Sequence, residues 1–252
     1  MCVLALMWRA HPRWRLILAG NRDEYHDRPA APLARWADRE VIAGRDLQSG
    51  GTWLGVSERG ALAVVTNLRG YGGPEPDRPS RGALVTDMLT GEGAFADPDE
   101  AMLARFNPVN LIVVDHARAQ FISNRPGVMR SALAPGVYGL SNGTLDEPWP
   151  KTMRLKSVLQ QWIMGAADMP HRLFDGLREE VLPPVGLDPA APSDVPQEPR
   201  HSPIFIRDPV YGTRCSTVVA IDERGQGWVA ERRFNADGAA VGETELTFSW
   251  PG

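Results

Sequence analysis

Short apolar runs separated by tight turns constrain this chain more than any other feature. VLALMWR and WRLILAG lie either side of AHPR, TWLGV and ALAVVTN either side of SERG, and VNLIVVD and AQFISN either side of HAR. Runs of this length, rich in Val, Ile, Leu and Trp and bounded by turn residues, read as paired antiparallel strands. STVVAID and GWVAERRF, joined by ERGQG, add a further hairpin, and TELTFSW supplies a last strand. Helical spacing is confined to a few places. RGALVTDMLTG and DPDEAMLARF form one pair, the second starting at Asp97 and Pro98 with acidic residues in its first turn. WPKTMRLKSVLQQWIMG and HRLFDGLREEVL form another, with Leu155, Leu159 and Trp162 on one stripe and Gly165 as the stop. Strands in two sets with helical pairs inserted between them predict an α+β fold in which two sheets lie between helices.

From Pro183 to Pro203 seven prolines fall in twenty-one residues with little apolar periodicity, which predicts an irregular loop. Only about fifty residues follow it, mostly strands that need partners, so a single domain over residues 1–252 is expected. The loop reads either as a mobile excursion or as a lid over a site.

Composition narrows the function. Hydrophobic residues at 43%, charged residues at 23% and a net charge of −4 describe an ordinary globular chain with enough length to bury a core. The 27 basic residues are scattered and outnumbered by 31 acidic ones, so no nucleic-acid partner is expected. The apolar opening from Cys2 to Trp8 is too short to span a bilayer and has Arg9 on the wrong side for a secretory signal. No stable membrane insertion and a cytoplasmic location are therefore expected. Two cysteines at 2 and 215 make neither a disulfide framework nor a zinc pattern, and the five histidines contain no HExxH. Asp23, Glu24, His26 and Asp27 lack a second ligand cluster, so no metal is expected.

The position of Cys2 carries the chemistry. Loss of Met1 would give one residue both a thiol and a free α-amine, with pKa values of about 8.5 and about 7.7–8.0, matched for proton transfer near neutrality. Alone, an unpaired cysteine in an apolar strand reads more readily as a buried core residue. AGNRDEYHDRP, just after the second strand, changes that, because the first hairpin returns Arg22 and Asp23 beside the N-terminus. Arg22 would favour a thiolate, and Asp23 would hold the amine. Gly50 and Gly51 permit a positive φ or a close backbone approach, and Trp53 either walls a pocket or packs in a strand. GLSNG also fits the nucleophile-elbow pattern around Ser141, but Pro148 and Pro150 oppose the helix that motif requires. GEGAFA follows a helical segment instead of a strand, the wrong setting for a dinucleotide fingerprint.

The initial MC, NRDE at 21–24, GGTWLG at 50–55, TNLR at 66–69 and GLSNG at 139–143 together resemble the NRDE family, which includes transport and Golgi organization protein 2. That family in turn resembles the N-terminal nucleophile hydrolases with cysteine nucleophiles, such as penicillin V acylase and bile salt hydrolase. The resemblance implies a four-layer αββα sandwich of two antiparallel sheets between helices. It implies Cys2 as nucleophile and its freed α-amine as base, with Arg22 and Asp23 as neighbours. Asn142 and Asn67 are then similar to oxyanion donors, and Arg214 to a later arginine of those hydrolases. Cys215 beside it reads as a core thiol. Two functions follow. One is an amidohydrolase that cleaves a non-peptide C–N amide of a small-molecule substrate through an acyl-thioester, with no cofactor. The other is a non-enzymatic binding or trafficking protein for haem, lipid or acyl-CoA on the same fold.

Overall fold

In the computed structural model, which describes residues 2–165, 167–181, 184–189 and 202–251, two antiparallel sheets stack between helices. The first sheet holds β1 (Cys2–Trp8), β2 (Trp14–Tyr25), β10 (Gly136–Leu140), β11 (Tyr211–Asp222), β12 (Gln226–Phe234) and β13 (Ala240–Ser249) in the order β10-β1-β2-β11-β12-β13. The second runs from β3 to β9 in sequence order: β3 (Ala30–Arg35), β4 (Ile42–Asp46), β5 (Leu54–Ser57), β6 (Ala61–Asn67), β7 (Val109–Asp115), β8 (Ala119–Ser123) and β9 (Met129–Leu133). The helices are α1 (Arg81–Thr90), α2 (Glu100–Ala104), α3 (Pro150–Met164) and α4 (Leu173–Leu177), the last entered through a 3-10 turn at Pro170–Arg172. No helix among the described residues is long and apolar enough to cross a membrane.

Strand alternation builds three apolar layers from one pattern. In β1, Leu4, Leu6 and Trp8 face the second sheet, where they meet Leu54, Val64, Ile112 and Phe121. Val3, Ala5 and Met7 face the other way, against Leu155 and Leu159 of α3 and Leu173 and Leu177 of α4. A third cluster joins Leu84, Val85 and Leu89 of α1 to Ala63, Val65 and Leu111. Every residue of β1 is buried because both of its faces are covered, which explains why CVLALMW is continuously apolar. Each fully buried large side chain contributes roughly 1.5–3 kcal/mol.

The predicted hairpins are all present, and the αββα layering is observed. Three local expectations need correction. The second strand does not end before NRDE but runs through it to Tyr25, with polar side chains because its two faces serve different environments. The helix expected from Asp97 is only five residues long and starts later, where Asp99 Oδ1 caps it by accepting from the Met102 N–H at 2.7 Å. HRLFDGLREEVL yields α4 only as far as Leu177, because the next turn is diverted: Glu179 gives its carbonyl to the Phe205 N–H at 2.9 Å and its carboxylate to Arg154. Strand β3 was not anticipated, since Pro32 interrupts it; it lies at a sheet edge, where a missing N–H is tolerated. The core of the proline-rich segment, residues 190–201, lies outside the described residues.

Glu231 ties the sheets together. From β12 its Oε1 accepts the Leu33 N–H of β3 at 2.8 Å, and the residue is 5% exposed. Burial raises its pKa above the ordinary 4.5, with the Leu33 bond and Arg233 opposing that shift. The folded state therefore holds this proton to higher pH than the unfolded chain. The associated stability is present below the ordinary carboxylate value and is lost as pH rises through the raised one. Urea unfolding of Glu231→Gln against the parent should show the difference between them shifting toward the variant across that interval. Leu6→Ala, at a site with no exposed surface, should cost about 2–5 kcal/mol in the same assay.

Candidate active site

The pairing of β1 with β2 places Cys2 opposite Arg22, and the pairing of β2 with β11 places Arg22 opposite Cys215. Cys215 is in turn opposite Arg233 on β12. Cross-strand partners share a face, so these four side chains form a row on the face turned toward the second sheet. There the apolar filling gives way to a cavity of about 560 Å³, lined on one side by this row and on the other by Thr52, Trp53, Asn67 and the first turn of α1.

Cys2 is 8% exposed at the cavity wall. Its carbonyl accepts the Ser141 hydroxyl at 2.8 Å. Burial pushes the thiol pKa up, the Asp23 carboxylate adds to this, and Arg22 opposes it. Arg22 donates to Asp46 Oδ2 at 3.1 Å, and Arg28 meets the same oxygen at 2.6 Å. Burial works against ionisation of Asp46, but the bonds from Arg28 and Ser49 outweigh it and hold the carboxyl below its usual value. Asp23 is 2% exposed, accepts from Thr213 Oγ1 at 2.7 Å, and gives its carbonyl to the Tyr211 hydroxyl at 3.0 Å.

Asn67, the last residue of β6, lines the cavity. Asn142 is fully buried behind it: Nδ2 donates to the Asn67 carbonyl at 2.9 Å, and Oδ1 accepts from Ser141 at 3.2 Å. Arg214 lines the cavity as well, because a bulge between Thr213 and Cys215 breaks the alternation and brings both Arg214 and Cys215 to the same space. Its Nη1 donates to the carbonyls of Tyr25 at 2.6 Å and Arg28 at 3.0 Å. Cys2, Arg22, Asp23, Asn67 and Arg214 thus meet at one cavity, with Asn142 supporting Asn67 from behind.

Two residues at the site were missed by sequence reasoning. Cys215 is as buried as expected but stands at the cavity wall, its pKa pushed well up by burial and by Glu231. Glu231 lies beside it. The alternation that carries Val219 and Thr217 to the inner face was a usable signal for Cys215; the register pairing Cys215 with Arg22 was not visible.

Asn21 points the other way. Its Nδ2 donates to the carbonyls of Leu177 and Ile204, each at 2.8 Å, and its Oδ1 accepts from Ser216 at 2.6 Å, pinning β2 to the helical layer. GGTWLG is explained by contact: Gly50 has φ 77°, and a Cβ on Gly51 would lie 2.5 Å from the Gly82 carbonyl carbon. Trp53 both lines the cavity and packs on the core between the sheets. His171, Glu243 and Glu245 lie close enough together to share an ion, but they are exposed, are not cavity-lining, and Glu243 is bound by Arg232 at 2.7 Å.

Known proteins share both this sequence and this architecture. The family described as Transport and Golgi organisation 2 matches residues 1–236. The Transport and Golgi organization protein 2 homolog of Bos taurus is 33% identical over 261 residues, covering 92% of each chain. The homolog of Homo sapiens is 32% identical over 263 residues, again covering 92% of each. Among solved structures, the mutant C2A conjugated bile acid hydrolase from Clostridium perfringens superposes with a TM-score of 0.51 over 100% of this chain and 97% of that one, at 8% identity, which shows a common fold. With the match running through nearly the whole sequence, the chain belongs to the Transport and Golgi organisation 2 family.

Proposed function

We propose that this protein hydrolyses a linear, non-peptide amide, with Cys2 as the nucleophile once Met1 has been removed. The observation that carries the reading is Cys2 at the wall of a cavity that Asp23 also lines, directly opposite Arg22 on the neighbouring strand. Removal of Met1 is essential to the chemistry, because a nitrogen locked in an amide cannot take a proton. The freed α-amine accepts the thiol proton as sulfur attacks the substrate carbonyl. Its ammonium form then protonates the departing amine as the C–N bond breaks, leaving an acyl-thioester on Cys2. A water molecule, deprotonated by the same amine, attacks the thioester; the carboxylic acid leaves and the thiol is restored.

The other residues take distinct parts. The Asp23 carboxylate, ordered by Thr213, holds the α-ammonium by a charge-assisted hydrogen bond. Arg22 favours the thiolate against the cost of burial. Asn67 supplies an oxyanion donor from the opposite wall, and Asn142 positions it through the bond to its carbonyl. No step calls for a cofactor. The bile acid hydrolase of common fold is a C2A mutant, its second position altered, which fits a reactive role there.

Intact mass should show the mature chain without Met1. On exposure to a panel of linear amides it should gain an acyl mass on Cys2, and Cys2→Ala should abolish both the adduct and turnover. Retention of Met1 in active protein, or turnover by Cys2→Ala, would rule the mechanism out. Binding of haem, lipid or acyl-CoA by mature protein that acylates with no amide would favour the non-enzymatic reading. Asn67→Ala should lower kcat roughly 100- to 1,000-fold with little change in KM, the signature of a lost oxyanion donor.

A further inference from the structure

The first strand begins at the residue on which the chemistry depends, and strand ends fray unless something holds them. In the proposed mature chain Cys2 is the terminus. On one side it pairs with Arg22 of β2. On the other side the ladder with β10 stops short, its last pair being Leu4 with Leu140. Continued by two residues, that register would bring Asn142 opposite Cys2, but the Asn142 carbonyl turns away to accept the Arg69 N–H at 2.8 Å. The Cys2 carbonyl is met instead by a side chain, the Ser141 hydroxyl at 2.8 Å.

Ser141 is 3% exposed and does not line the cavity, so it does not touch a ligand there. No helix follows it until Pro150, and its oxygen faces the Cys2 carbonyl, so GLSNG does not serve here as a nucleophile elbow. That oxygen also lies 3.2 Å from Asn142 Oδ1, and Asn142 Nδ2 donates to the Asn67 carbonyl at 2.9 Å. The hydroxyl has one proton for its two acceptors, and the shorter contact is to Cys2. One serine therefore stands between the residue assigned to attack and the pair assigned to the oxyanion. The contacts run from Cys2 through Ser141 and Asn142 to Asn67, at the end of β6.

We propose that Ser141 is a positioning residue, whose hydroxyl holds the carbonyl of Cys2 so that sulfur and α-amine keep one orientation toward the oxyanion wall. As a statement about turnover, this rests on the hydrolase reading above; as a statement about order at the chain terminus, it does not. The hydroxyl stands in for the ladder partner that β10 does not supply, and it engages neither the thiol nor the amine. It fixes the residue through the one polar group of Cys2 that takes no part in the chemistry. Such an anchor matters because a misplacement of about 1 Å at a reacting atom can cost about 100-fold in rate.

The test compares the mature parent with Ser141→Ala and Ser141→Thr. In Ser141→Ala, kcat for an amide that the parent turns over should fall about 10- to 100-fold with KM little changed, since Ser141 does not reach the cavity. Labelling by iodoacetamide, read thiol by thiol from peptide masses, should move the other way. Cys2 and Cys215 are both buried in the parent. Ser141→Ala should label several-fold faster at Cys2 while Cys215 stays slow, because only the terminus has been released. The pH midpoint of Cys2 labelling should also fall, since burial is what holds that thiol's pKa up. Ser141→Thr keeps a hydroxyl and should recover part of both effects; the alanine variant, which adds no bulk, carries the test should threonine not fit. Unchanged Cys2 labelling in Ser141→Ala, or equal gains at Cys2 and Cys215 as in a general loosening, overturns the inference. Selective release of Cys2 in a protein that hydrolyses no amide leaves the anchor standing and defeats the hydrolase reading. Amide turnover with the parent's kcat in Ser141→Ala does the reverse.

Discussion

The register of three neighbouring strands governs the rest of this structure. With Cys2 opposite Arg22 and Arg22 opposite Cys215, a thiol, a cation and a second thiol stand side by side on one face. A slip of one residue would turn every one of them into the helical layer. Such a slip is opposed from both sides. Leu4, Leu6, Leu16 and Leu18 would leave the inter-sheet core, and Asn21 would lose the carbonyls of Leu177 and Ile204. The apolar layers therefore set the alignment that the polar end of the sheet uses.

The polar end is organised by charge matching more than by count. Arg22, Arg28 and Asp46 form a compact group in which one carboxylate serves two guanidinium groups. Burying these charges is tolerable only because each has a partner and Asp46 also accepts the N–H groups of Gln48 and Ser49. Arg22 can oppose the desolvation of Cys2 only in part, since its charge is shared with Asp46. In the proposed mechanism, that sharing leaves most of the task of activating the thiol to the α-amine that removal of Met1 would free.

How much of this was legible in the amino-acid sequence depends on whether the signal was local. The hairpins were visible because apolar runs and turn residues are local, and the long helix α3 was visible because its stripe repeats over fifteen residues. The closeness of Arg22 to Cys2 followed from one short hairpin. Arg214 and Asn142 came from family resemblance, not from pattern. The bulge that swings Arg214 into the cavity depends on the pairing of β2 with β11, almost two hundred residues apart in sequence. The same distance hid Cys215 and Glu231, whose neighbours belong to other strands. The short helices were misjudged because their ends are decided by tertiary hydrogen bonds such as that from Phe205 to Glu179.

The contact between Gly51 and Gly82 bears on how this protein can vary. Two backbones touch there: a Cβ on Gly51 would press to 2.5 Å of the Gly82 carbonyl carbon, while one on Gly82 would crowd the Thr52 backbone at 3.1 Å. Because the glycine-rich loop and the start of α1 both border the cavity, any side chain at Gly51 would push these two walls of the chamber apart. Changes in what the chamber accepts therefore come more readily from the side chains around it than from Gly51, where the loop and the helix start are held backbone to backbone.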